Sequence, residues 1–526
     1  MPETFQKITY GGEAELLSVD KNTRRLTPIS YAEQHKAADR LRMKDNRGNQ
    51  ADLGYDSSFH LAEVGVGIWG SLPEAIYGLH EAVTALQGEV SKRGAGFISS
   101  SHHPIDNLQR SYNANVLPKP LYDVLRGKRG GQDLYVEPSV LSKVYPTNSE
   151  KGRGWNHEVG TMAASLQPWN SLQLENAAKQ IKVLQATGWM FNLLTANSPY
   201  IEGNATGRRD SRLNMWGSNG IMATSRYDED RNLIHNIPEE PTGLSDYYNY
   251  VLSNQRLAVV PYKQIEGERG EYKMRFLALV QPPESEEFNA LSYLSSDTVK
   301  AVDIETGDEL DIKPNVAHIF NGFDFLYFPR YGARLRVSLP YADTIDSKAF
   351  ARAVQDRDEN TLLSLMREGG IDTEGFICAE GRVAATVLPT IDHPSWDRFN
   401  LPFVLQTALV RSAGKVEKIL KASGLSWHEL SVSLPELTND SHKGFNTKIR
   451  GVEAAALAMQ IWQSAKESLT EEEAQFAGSA IETMLQEKQG PAEEQMNYVE
   501  KLLRENPSLT GALIALIDHQ VMVIPK

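Results

Sequence analysis

Apolar and polar residues alternate in several segments of the chain with the two-residue period of β-strands. The first such segment, residues 8–19, places Glu13 and Glu15 two positions apart behind the Gly11-Gly12 pair. Successive side chains of a strand point to opposite faces, so both carboxylates are expected to point the same way. The other segments predicted as strands, or as strands with loops, are residues 59–69, 243–338 and 376–388.

Apolar residues at three- and four-residue spacing predict the clearest helix over residues 71–91. Ser71 and Glu74 have the spacing of a capping box at its start. A less regular pattern predicts a second long helix over residues 171–196. The remaining helical predictions are residues 347–367 and most of the chain after residue 399, with a capping box at Thr470 and Glu473 and a break at Gly490-Pro491.

Length and composition indicate a globular protein. The 526 residues, 41% of them hydrophobic, can bury a large core or two to three domains. The formal net charge of −14 argues against nucleic acid as a partner, because phosphate binding requires a basic surface. The single cysteine, Cys378, excludes an intramolecular disulfide framework and a multi-cysteine metal site.

The segments that target proteins to membranes are not found in this sequence. No apolar run approaches the ~20 residues that span a bilayer, and the first residues show no basic–apolar–small signal pattern. The single cysteine fits a reducing compartment. We therefore expect a soluble, cytoplasmic protein with no membrane partner.

The Glu13 and Glu15 pair is the first candidate for chemistry. Two carboxylates on one strand face repel each other and are costly to bury unless a cation lies between them. Mg²⁺, which prefers oxygen ligands and commonly carries nucleotide phosphates, meets that requirement. A solvent-facing strand with polar alternation is the other interpretation of such a pair.

Other polar residues in or beside predicted strands extend this pair. Glu63 lies on the second strand, where it forms either a structural ion pair or a ligand, and Glu380 with Arg382 forms either a salt bridge or part of a site. Asp56 and Arg212 are either loop residues or members of the same site. Together with Gln167 they predict an acidic basin built from strands, with arginines on its rim.

Common catalytic motifs are missing from the sequence. It contains no GxxxxGK[ST] loop, no GxGxxG after a strand, no GxSxG and no HExxH. Phosphate would therefore be held by metal and arginine rather than by a glycine-rich loop. Cys378 is expected to be a buried small residue rather than a nucleophile. His103, before Pro104, either contacts substrate or completes a turn.

Residues 193–216, LLTANSPYIEGNATGRRDSRLNMW, resemble the glutamate–cysteine ligase superfamily, the carboxylate–amine ligases. The family has a helix there that ends in Ala-Asn-Ser-Pro, followed by Gly, Thr-Gly, Arg and Trp. The opening GGEAELLSVDKNTRRLTP is similar to the family's Gly-x-Glu-x-Glu strand. The resemblance covers roughly residues 8–420 and is weak over 220–375. The matching residues of the best segment are Ala196, Asn197, Ser198, Pro199, Gly203, Thr206, Gly207, Arg212 and Trp216.

The resemblance implies an α+β fold, with an antiparallel β-sheet funnel of the glutamine synthetase type backed by helices and a C-terminal helical extension. The ligase core is expected in residues 1–435, with an insertion near 340–375, and the extension in residues 436–526.

The same resemblance implies an ATP- and Mg²⁺-dependent ligase. It would activate the γ-carboxylate of glutamate as an acyl phosphate and couple it to an amine, cysteine being the family's commonest acceptor in glutathione biosynthesis. The implied Mg²⁺ ligands are Glu13, Glu15, Asp56, Glu63, Gln167 and Glu380. Arg212 and Arg382 would bind the acceptor carboxylate or the transferred phosphoryl group, and His103, Asn197, Ser198 and Trp216 would contact substrate or ATP.

One departure from the family leaves an alternative open. Ser338 can also be aligned with the family's late glutamate, because residues 328–343 resemble that region without an acid there. That alignment would remove a metal ligand and make the chain a non-catalytic relative that binds a nucleotide or an amino acid. A ligase with a different amine acceptor is a further alternative, and the oligomeric state does not follow from the sequence.

Overall fold

The structure is a computed structural model. It describes residues 8–115, 117, 128–129, 132–133, 163–213, 239–253, 259–266, 272–281, 288–303, 305–320, 333–430 and 443–525. In chain order, its strands are β1 (Tyr10–Asp20), β2 (Asp52–Tyr55), β3 (Leu61–Trp69), β4 (Ala95–Phe97), β5 (Lys128–Arg129), β6 (Gln132–Asp133), β7 (Leu166–Ser171), β8 (Tyr200–Ile201), β9 (Asn204–Ala205), β10 (Val259–Glu266), β11 (Tyr272–Val280), β12 (Val299–Asp303), β13 (Glu309–Ile312), β14 (Ala333–Ser338), β15 (Phe376–Gly381), β16 (Lys448–Ile449) and β17 (Val452–Glu453).

A seven-stranded antiparallel sheet lies at the centre of this fold. Its strand order is β14-β15-β7-β1-β3-β2, and β4 pairs with the end of β1. The strand predicted over residues 8–19 is thus the central strand β1, with β3 on one side and β7 on the other. The strands predicted over residues 59–69 and at the start of 376–388 are confirmed as β3 and β15.

The described residues also form helices. In chain order they are α1 (Tyr31–Ala38), α2 (Leu72–Ser91), α3 (Leu108–Asn115), α4 (Ala177–Ala186), α5 (Gly188–Thr195), α6 (Leu244–Ser253), α7 (Ala290–Ser295), α8 (Val316–Phe320), α9 (Ser347–Gln355), α10 (Glu359–Glu368), α11 (Asp397–Arg411), α12 (Ala413–Ala422), α13 (Ala454–Ala465), α14 (Glu471–Gln475), α15 (Ala480–Glu487), α16 (Pro491–Glu505) and α17 (Leu509–Gln520).

One face of the sheet is apolar and packs against helices. Ala14 and Leu16 of β1 and Val64 of β3 are fully buried on this face, in the same hydrophobic cluster as helix residues of α2 and α11. Helix α11 passes so close to β1 that a Cβ on Gly12 would lie 2.5 Å from the Phe403 ring. Glycine is therefore required at position 12, and the alternation of β1 leaves its glutamates on the opposite face.

The helix predicted over residues 71–91 is confirmed as α2. The Ser71 hydroxyl accepts a hydrogen bond from the Glu74 backbone N–H at 3.3 Å and donates to Glu74 Oε2 at 2.8 Å. The reciprocal bond from the Ser71 backbone to Glu74, which would complete a capping box, is not formed. At α14 the full capping box of Thr470 and Glu473 is present, as the sequence predicts.

The single helix predicted over residues 171–196 is wrong. Ser171 ends strand β7, and the helical segment is divided into α4 and α5 at Thr187. The Thr187 hydroxyl donates to the Val183 carbonyl at 2.7 Å, and Gly188 follows, which is a poor helix former. The local hydroxyl bond and the glycine together account for the break.

The strand-rich region predicted between residues 243 and 338 contains helices as well. Strands β10 to β13 form a separate four-stranded antiparallel sheet; helix α6 precedes β10, α7 lies between β11 and β12, and α8 lies between β13 and β14. Helices α9 and α10 confirm the helical prediction for residues 347–367. Within the described residues, no helix is long and apolar enough to cross a membrane.

Candidate active site

Charged and polar side chains line the face of the sheet opposite the helices. In the β1–β3 register Glu15 lies directly opposite Glu63, and in the β1–β7 register Glu13 lies opposite Gln167. Like charges directly opposite each other across two strands destabilise a sheet unless a cation compensates them. The strand pairing thus brings predicted site residues that are far apart in sequence onto one surface.

Glu15 is the most deeply buried carboxylate of β1. Its oxygens accept hydrogen bonds from the Ser165 hydroxyl at 2.7 Å and from Gln167 Nε2 at 2.9 Å. Burial and the nearby charge of Asp56 raise the pKa of Glu15 to about 8, although Arg382 opposes the shift. Burial therefore disfavours the ionised form of Glu15, and a bound cation would favour it.

Glu380 lies on β15 on the same face and is fully buried. Arg334 of the neighbouring strand β14 donates to both of its oxygens, at 2.8 and 3.0 Å. Arg382 donates to Glu380 Oε1 at 2.6 Å and also to Gln167 Oε1. Burial alone would raise the pKa of Glu380, but Arg334, Arg336 and Arg382 outweigh it and lower the pKa to about 2.

Arg336 connects the basic and acidic parts of this face. Its guanidinium lies 3.5 Å from Glu380 Oε2, 3.8 Å from Glu13 Oε1 and 4.7 Å from the centroid of the Trp169 ring. Stacking on an aromatic face and two carboxylate contacts hold the guanidinium in place. Glu13 and Glu380, predicted to belong to one site, are thus bridged by a single side chain. We call this surface, built from β1, β3, β7, β14 and β15, the charged face.

Sequence reasoning missed Arg334 and Arg336. Both stand at alternate positions of a short strand, so they share a face, and this alternation was a usable signal. Their partner strand could not be read from the sequence, because β14 and β15 pair across about forty residues of intervening chain.

The residues predicted from the resemblance as metal ligands differ in the hydrogen bonds they already make. Within the described ranges, no three His, Cys, Asp or Glu side chains are arranged to hold a metal ion. Glu13, Glu15, Glu63 and Asp56 supply carboxylates at or beside the charged face, which suits a hard cation in donor chemistry. Both oxygens of Glu380 accept from arginines, and Gln167 bridges Glu15 and Arg382. Metal binding by Glu380 and Gln167 stays a prediction.

The loop after α5 contains the segment with the strongest resemblance. Asn197 Nδ2 donates to the Thr386 carbonyl at 2.7 Å, and its Oδ1 accepts from the Ser101 N–H at 2.9 Å. The Ser198 hydroxyl donates to Asp210 Oδ1 at 3.0 Å. Both side chains are buried and hold backbone in the described part of the chain, so contact with substrate or ATP stays a prediction. Trp216 lies outside the described residues.

Arg212 is fully buried and acts on the chain that follows β15. Its guanidinium donates to the Arg382 carbonyl at 3.2 Å and to the Val383 carbonyl. Its contacts with these carbonyls fix the backbone that carries the Arg382 side chain to the charged face. The structure therefore supports a positioning role for Arg212, and its predicted contact with substrate stays untested.

His103 is also fully buried. Its Nδ1 accepts hydrogen bonds from the backbone N–H of Asp106 at 2.9 Å and of Ile105 at 3.3 Å. Burial lowers the pKa of His103 to about 4, so the imidazole is neutral at physiological pH. Of the two interpretations the sequence allows, this geometry supports the turn histidine. Cys378 is buried on β15, as predicted, and burial raises its pKa to about 12.

Helix α16 of the C-terminal region holds the same loop from outside. Glu493 Oε2 accepts from Arg209 Nη2 at 2.9 Å, and Gln495 Nε2 donates to the Asn197 carbonyl at 2.9 Å. Arg209 is fully buried, and its other described acceptor is the Leu193 carbonyl at 3.0 Å. Residues from both ends of the chain thus support the loop that contains Asn197.

We expect Glu493→Ala to lower the free energy of unfolding by about 2–3 kcal/mol, because it leaves the buried Arg209 guanidinium without its carboxylate. Urea denaturation of both proteins measures the change. Glu500→Ala, on the same helix but in an exposed ion pair with Arg504 at 3.8 Å, is the matched control and should change stability by less than ~0.5 kcal/mol. Equal effects of the two substitutions would contradict the role given to Glu493.

Part of the chain matches the model of a known protein family. Residues 9–244 match the model of the glutamate-cysteine ligase family 2. Among curated proteins, none matches this chain. A bifunctional glutathione synthetase from Pasteurella multocida is a structural match with 12% identity and a TM-score of 0.42, covering 98% of this chain and 51% of that protein. The chain therefore spans about half of that protein's length. A glutamate–cysteine ligase from Francisella tularensis, solved in complex with AMP, matches with 11% identity and a TM-score of 0.25, covering 97% of each chain.

Proposed function

We propose, from the match of residues 9–244 to the model of the glutamate-cysteine ligase family 2, that this chain is an ATP- and Mg²⁺-dependent carboxylate–amine ligase. It would activate the γ-carboxylate of glutamate as an acyl phosphate and join it to an amine, with cysteine the first acceptor to test. The observation that supports this most is the charged face, where carboxylates of β1, β3 and β15 and arginines of β14 and the residue after β15 meet beside Gln167 of β7.

The carboxylates of β1 and β3 are the proposed cation ligands. Glu13, Glu15 and Glu63, with Asp56 beside them, would hold Mg²⁺ through oxygen, and the bound ion would neutralise the charge of nucleotide phosphates. A cation bound there would compensate the carboxylates of Glu15 and Asp56, whose negative charges disfavour each other.

The arginines of β14 and β15 are the proposed anion ligands. Arg336 and Arg382 are less buried than Arg334. Their guanidinium groups would attract the carboxylate of an acceptor or the phosphoryl group in transfer. Arg334 and Glu380 hold these guanidinium groups in place, so their charge is preorganised. Aligning two anionic reactants against fixed positive charge supplies most of the work in such a reaction, because no covalent nucleophile is needed.

The funnel architecture and the division of the chain into a core and an extension are also part of this proposal. We take the charged face as one wall of a funnel of the glutamine synthetase type. The catalytic core would comprise residues 1–435, with an insertion near 340–375, and the helical extension residues 436–526. The hydrogen bonds from Glu493 and Gln495 to the loop after α5 give the extension a supporting role in this arrangement.

A second candidate function is a non-catalytic relative that binds a nucleotide or an amino acid. It is favoured by the engagement of both Glu380 oxygens with arginines and by the lack, among the described residues, of three side chains poised for a metal. The buried, intact contact between Glu380 and Arg382 favours the enzyme instead, because a relative released from catalysis has no need to maintain it.

Release of ADP distinguishes the two candidates. The purified protein is incubated with ATP, Mg²⁺, glutamate and one amine at a time, beginning with cysteine. The ligase predicts ADP release that requires both glutamate and one amine and stops when EDTA removes the metal. Nucleotide binding without ADP release for any amine would overturn the ligase and support the non-catalytic relative.

A further inference from the structure

A cleft of about 490 Å³ separates the C-terminal helices from the chain that follows β15. Residues 387–398 form one wall, and helices α16 and α17 form the other. This volume lies within the range of small-molecule sites in proteins, roughly 300–1,000 Å³. The cleft is distinct from the charged face, because none of its lining residues belongs to the five strands that build that face.

Most charges in the cleft are already paired. Arg398 forms two hydrogen bonds with the Glu494 carboxylate, at 2.6 and 2.7 Å, and His393 lies 3.2 Å from the same group. On the other side, His519 Nε2 lies 2.6 Å from Asp392 Oδ2, and its ring stacks on Tyr498 at 4.3 Å between centroids. These contacts fix the walls and leave them close to electrically neutral.

Among the described residues, two polar side chains of the lining each have a group without a hydrogen-bond or ion-pair partner. Gln520 is 5% exposed, and its Oε1 atom accepts no hydrogen bond. A buried amide oxygen without a donor destabilises the protein, and a ligand that donates a hydrogen bond to it would remove that cost. Lys501, on an exposed position of α16 in the same lining, is in no ion pair of the described structure.

Apolar side chains from both walls also line the cleft. Val387 and Leu388 on one side and Leu516 on the other are buried side chains that border the cleft. The three features together describe a ligand: a hydrogen-bond donor for Gln520, an anionic group for Lys501 and hydrocarbon for the apolar wall. An α-amino acid carries the first two on one carbon and the third as its side chain.

We propose that this cleft binds a small zwitterionic ligand of the amino-acid type with an apolar side chain. Its carboxylate pairs with Lys501, its ammonium group donates to Gln520, and its side chain lies against Leu388 and Leu516. The hydrocarbon contact supplies most of the affinity, and the two polar contacts supply the orientation.

The cleft is connected to the charged face by short chains of hydrogen bonds. Gln495 lines the cleft and donates to the carbonyl of Asn197, whose side chain in turn holds the Thr386 carbonyl. The Thr386 hydroxyl donates to the backbone carbonyl of Glu15 at 2.8 Å. These hydrogen bonds join the lining of the cleft to the backbone of β1, so the site would be regulatory, given the proposed ligase activity, if leucine binding changes the rate of ADP release.

Calorimetric titration of the full chain with L-leucine tests the proposal. We expect binding in the millimolar range or tighter, weakened about tenfold or more by Lys501→Glu and by Gln520→Leu. Two leucine analogues dissect the site: 4-methylpentanoate lacks the ammonium group and 3-methylbutylamine lacks the carboxylate, so both should bind more weakly. Lys418→Glu, an exposed lysine on α12 outside the cleft, is the matched control and should bind leucine as the wild type does.

The outcomes separate this proposal from the ligase. Binding that both cleft variants weaken supports the amino-acid site whether or not the protein releases ADP, because the titration requires no turnover. No binding of leucine, or binding that Lys501→Glu and Gln520→Leu leave unchanged, overturns the proposal. If leucine also changes the rate of ADP release in the wild type but not in Lys501→Glu, the hydrogen-bond connection to Glu15 is supported.

Discussion

Replacing Glu15 with glutamine should lower ligase turnover by about 10²- to 10³-fold while leaving the protein folded. The loss in rate follows from removing one fixed negative charge from the proposed cation site, an electrostatic contribution of about that size in other enzymes. The fold should survive because a glutamine amide retains the contacts to Ser165 and Gln167, with the Ser165 hydroxyl reversing to accept where needed.

The stability of this variant provides an independent measurement. Burial and the charge of Asp56 raise the pKa of Glu15 to about 8, so without a bound cation its carboxyl is largely protonated at pH 7, and a neutral glutamine should leave the free energy of unfolding unchanged or raise it. ADP release and thermal unfolding are measured on the same preparations. Glu368→Gln, an exposed glutamate on α10, is the control and should alter neither. Wild-type turnover in Glu15→Gln would remove Glu15 from the site.

Glu380→Ala should lower the free energy of unfolding by about 3–5 kcal/mol, a large fraction of the roughly 5–15 kcal/mol of an ordinary folded protein. If Glu380 were only a metal ligand, as the resemblance implies, this change would abolish turnover with modest loss of fold. The structure alters that expectation, because Glu380 is fully buried and accepts from both Arg334 and Arg382. Truncation would leave these guanidinium groups near each other without the carboxylate that neutralises them.

A second cross-strand ion pair serves as the control for Glu380. Lys300 of β12 and Asp311 of β13 are directly opposite each other in the strand register, and Lys300 Nζ lies 2.8 Å from Asp311 Oδ1. Their side chains, however, are 68% and 59% exposed. Asp311→Ala should therefore cost less than ~1 kcal/mol. Chemical denaturation of both variants compares the pairs. A loss for Glu380→Ala as small as that for Asp311→Ala would contradict the network of arginines described for the charged face.

The local spacing of apolar and polar residues was enough to predict the strand β1 and the helix α2. The alternation around Glu13 and Glu15 predicts β1 and the common face of its carboxylates, and the spacing over residues 71–91 predicts α2. Both predictions are local, because side-chain direction in a strand and burial along a helix repeat with fixed periods. The helix over residues 171–196 failed for a reason equally local, the Thr187 and Gly188 pair, which a weak periodic signal obscures.

The sequence pattern could not predict which residues pair with each charged side chain. Arg334 lies on a strand that pairs with β15 through the fold, and Arg212 is buried against a backbone segment 170 residues later in the chain. Such contacts depend on which strands become neighbours, and no local periodicity encodes that choice. The burial of His103 and the contact of Glu493 with Arg209 follow from the same long-range packing.

By itself, the sequence determined that Glu13 and Glu15 share one face of a strand, that a long amphipathic helix follows β3, and that the chain resembles the carboxylate–amine ligases. Only the tertiary structure decided that Glu63 faces Glu15, that three arginines surround Glu380, and that the C-terminal helices hold the loop containing Asn197. The physical reason is that side-chain direction is a property of the local backbone, whereas the neutralisation of a buried charge depends on residues that only folding brings within hydrogen-bonding distance.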